Sequence, residues 1–97
     1  MSLKLLSVDF EIHGKVQGVY FRKHTQEQGN QLGVRGWCMN TTRGTVIGNL
    51  QGTPDKILKM KNWLSTKGSP KSKITKAYFS NEQSISEYTQ NEFIIKK

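Results

Sequence analysis

Apolar and polar residues alternate strictly near the start of the chain. Every second position from residue 6 to residue 12 is apolar, and the positions between them are polar or charged; the apolar set is Leu6, Val8, Phe10 and Ile12. A period of two is typical of a strand with one buried and one solvated face. The pattern therefore predicts a first strand over these residues.

A helix is predicted after this strand, from Arg22 to Leu32. Its apolar stripe is thin, and Gly29 costs about 1 kcal/mol relative to alanine in a helix interior. Gly33 is suited to end the helix because glycine adopts the left-handed conformation without steric cost. This element is therefore predicted mainly from its boundaries.

The next stretch is typical of a β-hairpin. Residues 34–40 and 45–51 are rich in strand-forming residues, and the glycine-containing segment 41–44 separates them. The returning strand of this hairpin, residues 45–51, is the central strand of the predicted fold and carries no aromatic residue.

A second helix is predicted from the residues that would begin it. Thr53 is placed as an N-cap whose hydroxyl would accept a backbone hydrogen bond, and Pro54 suits the first helical position. Asp55 then lies near the positive end of the helix dipole. Gly68 precedes Ser69-Pro70 and is predicted to end the run, whose core-facing residues are Ile57, Met60 and Leu64.

Two further strands complete the predicted order. Residues 74–80 form one, residues 93–95 form a short closing strand, and residues 81–91 are predicted to be a polar connection. The order strand, helix, strand, strand, helix, strand is typical of an α+β, ferredoxin-like split βαβ sandwich. In this fold, two helices cover one face of a mainly antiparallel sheet, and residues 1–97 are expected to form one domain.

Composition narrows the class of protein. No segment approaches the ~20 consecutive apolar residues that span a bilayer, and residues 1–9 have too short an apolar run for a secretory leader. Cys38 is the only cysteine and the chain has two histidines, so an internal disulfide is excluded and a zinc site is disfavoured. We expect a cytoplasmic, metal-independent monomer that needs no cofactor and binds no membrane.

The chain is strongly basic. Fifteen lysines and arginines oppose seven acidic residues, which gives a net charge of +8. Such a charge attracts anionic ligands in general, including nucleic acid. The lysines are dispersed along the sequence, so charge alone indicates no particular partner.

A glycine loop follows the first strand, and it is the strongest chemical signal in the sequence. Gly14 and Gly18 allow a tight turn and a close backbone approach, and Arg22 adds a permanently charged fork of donors. Backbone N–H groups that converge in such a loop can hold an anion. The loop therefore suits a phosphoryl group.

Two stretches of the chain resemble the signatures of the acylphosphatases. Gly14-Lys15-Val16-Gln17-Gly18-Val19-Tyr20-Phe21-Arg22 resembles the first signature, and residues 36–46 followed by Gly52 resemble the second. The resemblance implies hydrolysis of an acyl phosphate to a carboxylate and inorganic phosphate. It also implies that Arg22 and the backbone N–H groups of residues 15–20 hold the phosphoryl oxygens, while Asn40 orients the attacking water. The substrate-binding residues so implied are Gly14, Lys15, Val16, Gln17, Gly18, Val19 and Tyr20.

Other interpretations remain open at this stage. Without the two signatures, Arg22 is typical of a solvated first-turn residue and Asn40 of a hairpin end. A nucleic-acid-binding module is the alternative from another class, prompted by the charge and by aromatic residues such as Trp37, but the central strand lacks the aromatic platform it would need. Loss of turnover with a retained phosphate cradle would instead make a sensor. Cys38, His13 and His24 are expected to take no part in chemistry.

Overall fold

Two helices and five strands form the part of the chain that the computed structural model describes, residues 4–96. The expectation about the start of the chain thus falls partly on residues outside this range. In chain order the elements are β1 (Leu5–Lys15), α1 (Phe21–Leu32), β2 (Arg35–Asn40), β3 (Val46–Gly52), α2 (Pro54–Thr66), β4 (Lys73–Ile85) and β5 (Phe93–Ile95).

The five strands form a single mixed sheet in the order β4-β1-β3-β2-β5. Strand β1 pairs antiparallel with β3 and β4, and β2 pairs antiparallel with β3. Only β5 lies parallel to its neighbour, β2. This arrangement confirms the predicted ferredoxin-like α+β fold with a mainly antiparallel sheet.

The alternation in β1 separates the two faces of the sheet. Phe10 pairs with Gly48, and Gly48 pairs with Cys38 in the next strand. The apolar side chains of this face pack with Ile57, Met60 and Leu64 of α2 in one core. Helix α1 contacts β2 and β5, while α2 contacts β1, β3 and β4. Within residues 4–96, neither helix has the length and apolar character needed to cross a membrane.

Strand β4 is longer than predicted. It continues to Ile85, so the expected polar connection over residues 81–91 was wrong for its first five residues. This extension pairs with Leu5, Leu6 and Ser7 of β1 across an irregularity in the register. Asn81 adopts a left-handed φ of 53° there. Strand β4 lies at the edge of the sheet and its side chains are mostly exposed. Its end therefore lacks the alternation of apolar and polar residues by which a strand is predicted from sequence.

The helix boundaries agree with the sequence except at one cap. Gly33 ends α1 with a left-handed φ of 78°, as expected. At the start of α2, however, Thr53 forms no side-chain cap; its Oγ1 instead donates to Asp55 Oδ1 at 2.7 Å. This hydrogen bond lowers the pKa of Asp55.

Helix α1 is held tightly against β5. Asn30 Oδ1 accepts from the backbone N–H of Phe93 at 3.0 Å, and Asn30 Nδ2 donates to the Phe93 carbonyl at 3.3 Å. The fully buried Phe93 ring fills the space beside Gly29, where an added Cβ would lie 2.9 Å from Phe93 Cγ. The glycine in this helix is therefore explained by close packing.

Gly29→Ala is expected to lower the free energy of unfolding by about 1 kcal/mol. Overpacking a core costs about 1–3 kcal/mol, which exceeds the gain of about 1 kcal/mol that alanine brings to a helix. Urea unfolding monitored by circular dichroism would measure the change, with Gln31→Ala at an exposed position of the same helix as control. A more stable Gly29→Ala variant would contradict the packing argument.

Candidate functional site

An open pocket of about 390 Å³ lies at the N-terminal end of α1. It is formed by the loop between β1 and α1, the first turn of α1 and one residue of β5. The lining residues are Val16, Gln17, Gly18, Tyr20, Phe21, Arg22, Lys23 and Ile95. Five of the residues predicted from the glycine loop, including Arg22, are thus brought together.

The backbone of this loop resembles an anion-binding nest in having two left-handed residues separated by one that is not left-handed. Gly18 and Tyr20 have left-handed φ values of 74° and 60°, with Val19 between them. Backbone N–H groups in alternating right- and left-handed conformations converge on one concavity. An added Cβ at Gly18 would meet nothing within 4 Å, so glycine is needed there for its conformation and not for space.

The start of α1 adds positive potential to the same pocket. Its N-cap, Tyr20, forms no side-chain cap bond, and the first turn contains no acidic residue. The backbone N–H of His24 donates to the Tyr20 carbonyl at 3.1 Å, so the three preceding helical N–H groups have no intrahelical acceptor. Together with the helix dipole, such groups favour an anion.

Hydrophobic anchors hold the loop in place. Val16 and Val19 are 1% and 7% exposed, which fixes the backbone on both sides of Gly18. Gly14 and Lys15 are the last residues of β1 and lie outside the pocket lining. A side chain at Gly14 would collide with the backbone of Lys73 in β4. Glycine is therefore needed at this position for β1 to pair with β4.

Gln17 ties the loop to the β2–β3 turn. Its Nε2 donates to the carbonyl oxygens of Thr41 and Thr45, both at 2.9 Å. A carboxamide NH₂ has two donors, and these two bonds use both. The residue was predicted as part of a phosphate loop, and its side chain is committed to holding that loop against the turn that follows Asn40.

A carboxylate on the other face of the sheet fixes this turn. Thr45 Oγ1 donates to Glu11 Oε2 at 2.8 Å, and Arg43 Nη2 donates to the same oxygen at 2.7 Å. An ionised carboxylate only accepts hydrogen bonds, so in the 2.7 Å contact between the hydroxyls of Thr41 and Thr45 the proton comes from Thr41. The Thr45 hydroxyl, followed by the Arg43 guanidinium, holds the pKa of Glu11 below its ordinary value.

Asn40 occupies the end of β2 on the helix-covered face. It pairs with Val46, which pairs with Ile12, and it lies two residues beyond the buried Cys38 on the same face. Asn40 Oδ1 is buried and accepts no hydrogen bond within the described part of the chain. Asn40 is not among the residues that line the pocket. A buried acceptor without a partner calls for an explanation, and a bound water is one of the usual ones.

Cys38, His13 and His24 are not among the residues that line the pocket. Burial raises the pKa of the Cys38 thiol to about 12, against a smaller opposing effect of Arg22. The thiol is therefore protonated at neutral pH and is a poor nucleophile. His13 and His24 lie 3.7 Å from Glu11 and Glu27, respectively. Within residues 4–96, no three histidine, cysteine or acidic side chains are grouped as metal ligands.

The network of Glu11, Thr41 and Thr45 was missed by sequence reasoning. Glu11 was assigned only to the solvated face of the first strand, and Thr45 was assigned to the returning strand of the hairpin and to the second signature without a role of its own. Their contact joins residues that are 34 positions apart, and no local pattern indicates it.

Comparison with known proteins points to one family. Residues 8–95 match the family model described as Acylphosphatase. The chain is 57% identical to human acylphosphatase-1 over 93 residues, covering 96% of this chain and 94% of that protein. Identity to human acylphosphatase-2 is 49%, with coverages of 95% and 93%. The crystal structure of an acylphosphatase from Bacillus subtilis superposes with a TM-score of 0.87 at 27% identity, covering 95% of this chain and 99% of that one.

Glu11→Gln is expected to lower the free energy of unfolding by about 1 kcal/mol near neutral pH, because hydrogen bonds to a charged group contribute more than those to a neutral one. A carboxyl whose pKa is lowered by folding stabilises the fold above its unfolded pKa. That contribution is lost as the pH falls through the folded pKa. The difference between Glu11→Gln and the wild type should therefore shrink below about pH 4.

Urea unfolding between about pH 7 and about pH 3 would measure this difference. Glu87→Gln, at an exposed carboxylate outside the network, is the matched control. A deficit that stays constant over the whole range would argue against ionised Glu11 as the group that fixes the turn.

Proposed function

Since this chain belongs to the acylphosphatase family, we propose that its hydrolysis of acyl phosphates takes place in the pocket at the start of α1, with Arg22 and Asn40 as the catalytic residues. The coarse activity is that of the family: the chain is an acylphosphatase, a hydrolase that acts on acyl phosphates. The proposal concerns which groups of this chain perform the reaction and how.

The phosphoryl group is proposed to bind in the nest of the β1–α1 loop. The backbone N–H groups of residues 15–20 and the Arg22 guanidinium would contact its oxygens. Among the described residues, no backbone N–H of residues 16–20 donates a loop or cap hydrogen bond, so these donors are available. The uncapped start of α1 supports the same assignment, since a capping carboxylate there would repel the anion.

The chemistry needs little acid or base from the protein. The transition state of phosphoryl transfer is loose, with charge spread over three equatorial oxygens and the attacking and leaving oxygens in line. The leaving group is a carboxylate, which departs without general-acid assistance. Donors held in fixed positions around the phosphoryl oxygens are therefore the main source of rate enhancement.

The attacking water is proposed to donate a hydrogen bond to Asn40 Oδ1. The buried, unpartnered state of this oxygen is the observation that carries the proposal. The water oxygen forms a bond to phosphorus while the bond to the acyl oxygen breaks, and the electron pair leaves with the carboxylate. A carboxamide is not an effective base near neutral pH, so the water proton passes to an oxygen of the transferred phosphoryl group. No metal or cofactor is part of this mechanism.

Asn40→Ala is expected to lower kcat for benzoyl phosphate by about 10²–10³, with little change in competitive inhibition by inorganic phosphate. Loss of one preorganised polar group in a transition state typically has this effect. Steady-state hydrolysis in the presence of a metal chelator would measure kcat, and circular dichroism would confirm folding. Asn62→Ala, at an exposed position of α2, is the control, and full activity of Asn40→Ala would refute the assignment.

Arg22→Lys is expected to impair both binding and turnover, because an ammonium group cannot reproduce the planar, bidentate donors of a guanidinium. We expect weaker inhibition by inorganic phosphate and a fall of at least about 10² in kcat/KM. Lys59→Ala removes an exposed positive charge of α2 and controls for the general electrostatic attraction of the protein. Inhibition by phosphate at wild-type strength in Arg22→Lys would exclude Arg22 from the phosphoryl site.

A further inference from the structure

The pocket is larger than a phosphoryl group requires. Its volume of about 390 Å³ falls within the range of about 300–1,000 Å³ that is typical of sites for small organic ligands. Polar and charged lining comes from Gln17, Arg22 and Lys23, and the lining also includes four apolar or aromatic residues. These are Val16, Tyr20, Phe21 and Ile95.

Only two of these four side chains offer surface to a ligand. Val16 and Phe21 are each 1% exposed, so their surface is already covered by the core. Tyr20 is 75% exposed, and Ile95 at the end of β5 is half-buried. The accessible apolar wall of the pocket therefore consists mainly of Tyr20 and Ile95.

Tyr20 differs from the other two tyrosines, exposed Tyr78 and partly buried Tyr88. Tyr78 has an edge contact with His13, with ring centroids 5.2 Å apart, and the Arg35 guanidinium lies 3.8 Å from the Tyr88 ring. Among residues 4–96, the Tyr20 side chain forms no hydrogen bond, aromatic pair or cation–π contact. The residue also adopts a left-handed φ of 60°, a conformation in which residues other than glycine are uncommon and which often occurs at functional sites.

We propose that Tyr20 and Ile95 form a subsite for the acyl portion of the substrate, and that this subsite favours aromatic and other apolar acyl groups over small ones. The inference rests on the proposed function of the same pocket. The phosphoryl group in the loop places the acyl group at the mouth of the pocket, where Tyr20 and Ile95 supply the uncovered apolar surface. An aromatic acyl group can pair with the Tyr20 ring in an offset or edge-to-face arrangement, whereas an acetyl group cannot.

The test is the ratio of kcat/KM for benzoyl phosphate to kcat/KM for acetyl phosphate. The two compounds differ in intrinsic reactivity, but this difference cancels when the ratio is compared between variants. Tyr20→Asn removes the ring and keeps a residue type that tolerates the left-handed conformation. We expect it to lower the ratio about three- to tenfold, the factor that corresponds to one aromatic pair.

Two further variants isolate the ring. Tyr20→Phe retains it and should keep the ratio within about twofold of the wild type. Tyr78→Asn removes an exposed ring from the opposite face of the sheet and should leave the ratio unchanged. Ile95→Val should lower the ratio about two- to fourfold, the effect of one methylene group, and this variant carries the test if Tyr20→Asn fails to fold.

The outcomes separate the two proposals. No hydrolysis of either compound by folded wild-type protein would overturn the proposed function itself. Hydrolysis of both compounds with an unchanged ratio in folded Tyr20→Asn would overturn only the acyl subsite. An equal loss for both compounds would also overturn it, because Tyr20 would then act on the phosphate loop alone. A selective loss for benzoyl phosphate, reproduced in Ile95→Val and absent in Tyr20→Phe, is the expected result.

Discussion

The paired hydrogen bonds of Gln17 are the contact on which the arrangement of the site depends. The groups proposed for phosphate binding lie at the end of β1, in the β1–α1 loop and in the first turn of α1, whereas Asn40 lies at the end of β2. One side-chain amide joins the two segments. Antiparallel pairing of β1 with β3 brings the segments near each other, since Ile12 lies opposite Val46. Strand pairing alone does not fix the distance between the β1–α1 loop and the β2–β3 turn, because both segments can still move. The two bonds of 2.9 Å from Gln17 remove much of this freedom, and preorganisation of this kind is what a reaction driven by positioning requires.

The support for the site extends through the sheet to its other face. Ile12 points into the core and its neighbour Glu11 points to the open face, as the alternation of a strand requires. Glu11 holds the Thr45 hydroxyl, and the carbonyl of Thr45 is one of the two acceptors of Gln17. An ionised group behind the sheet thereby orders the loop in front of it. The charge stays on the wet face, where its desolvation costs little, while its effect reaches the pocket through neutral hydrogen bonds.

The features that could be predicted from the sequence are those set by neighbouring residues. The alternation from Leu6 to Ile12 predicts β1. The glycines of the loop predict a turn with left-handed backbone angles, and Gly18 has such an angle. Features that depend on distant residues could not be predicted. The tail of β4 is held by pairing with β1 and has no periodicity of its own. Thr53 carries a sequence signal for a cap, but its hydroxyl donates to Asp55 and accepts no backbone hydrogen bond. The tether of Gln17 and the orphan oxygen of Asn40 depend on where β2 and β3 meet the loop, which only the folded chain determines.

The burial of Cys38 illustrates how the site avoids a competing reaction. The thiol lies 3.9 Å from the backbone carbonyl oxygen of Arg22, one of the residues proposed for the site. Its pKa of about 12 keeps it protonated, because burial in the core outweighs the attraction of the Arg22 charge. The Arg22 guanidinium therefore has different effects on the Cys38 thiol and on the phosphoryl group proposed to bind in the pocket. It meets a solvent-accessible pocket on one side, where it can stabilise a phosphoryl anion, and a desolvated thiol on the other, where it cannot generate an anion. In the proposed mechanism water is therefore the nucleophile, and the catalytic demand on the protein is reduced to positioning and charge stabilisation.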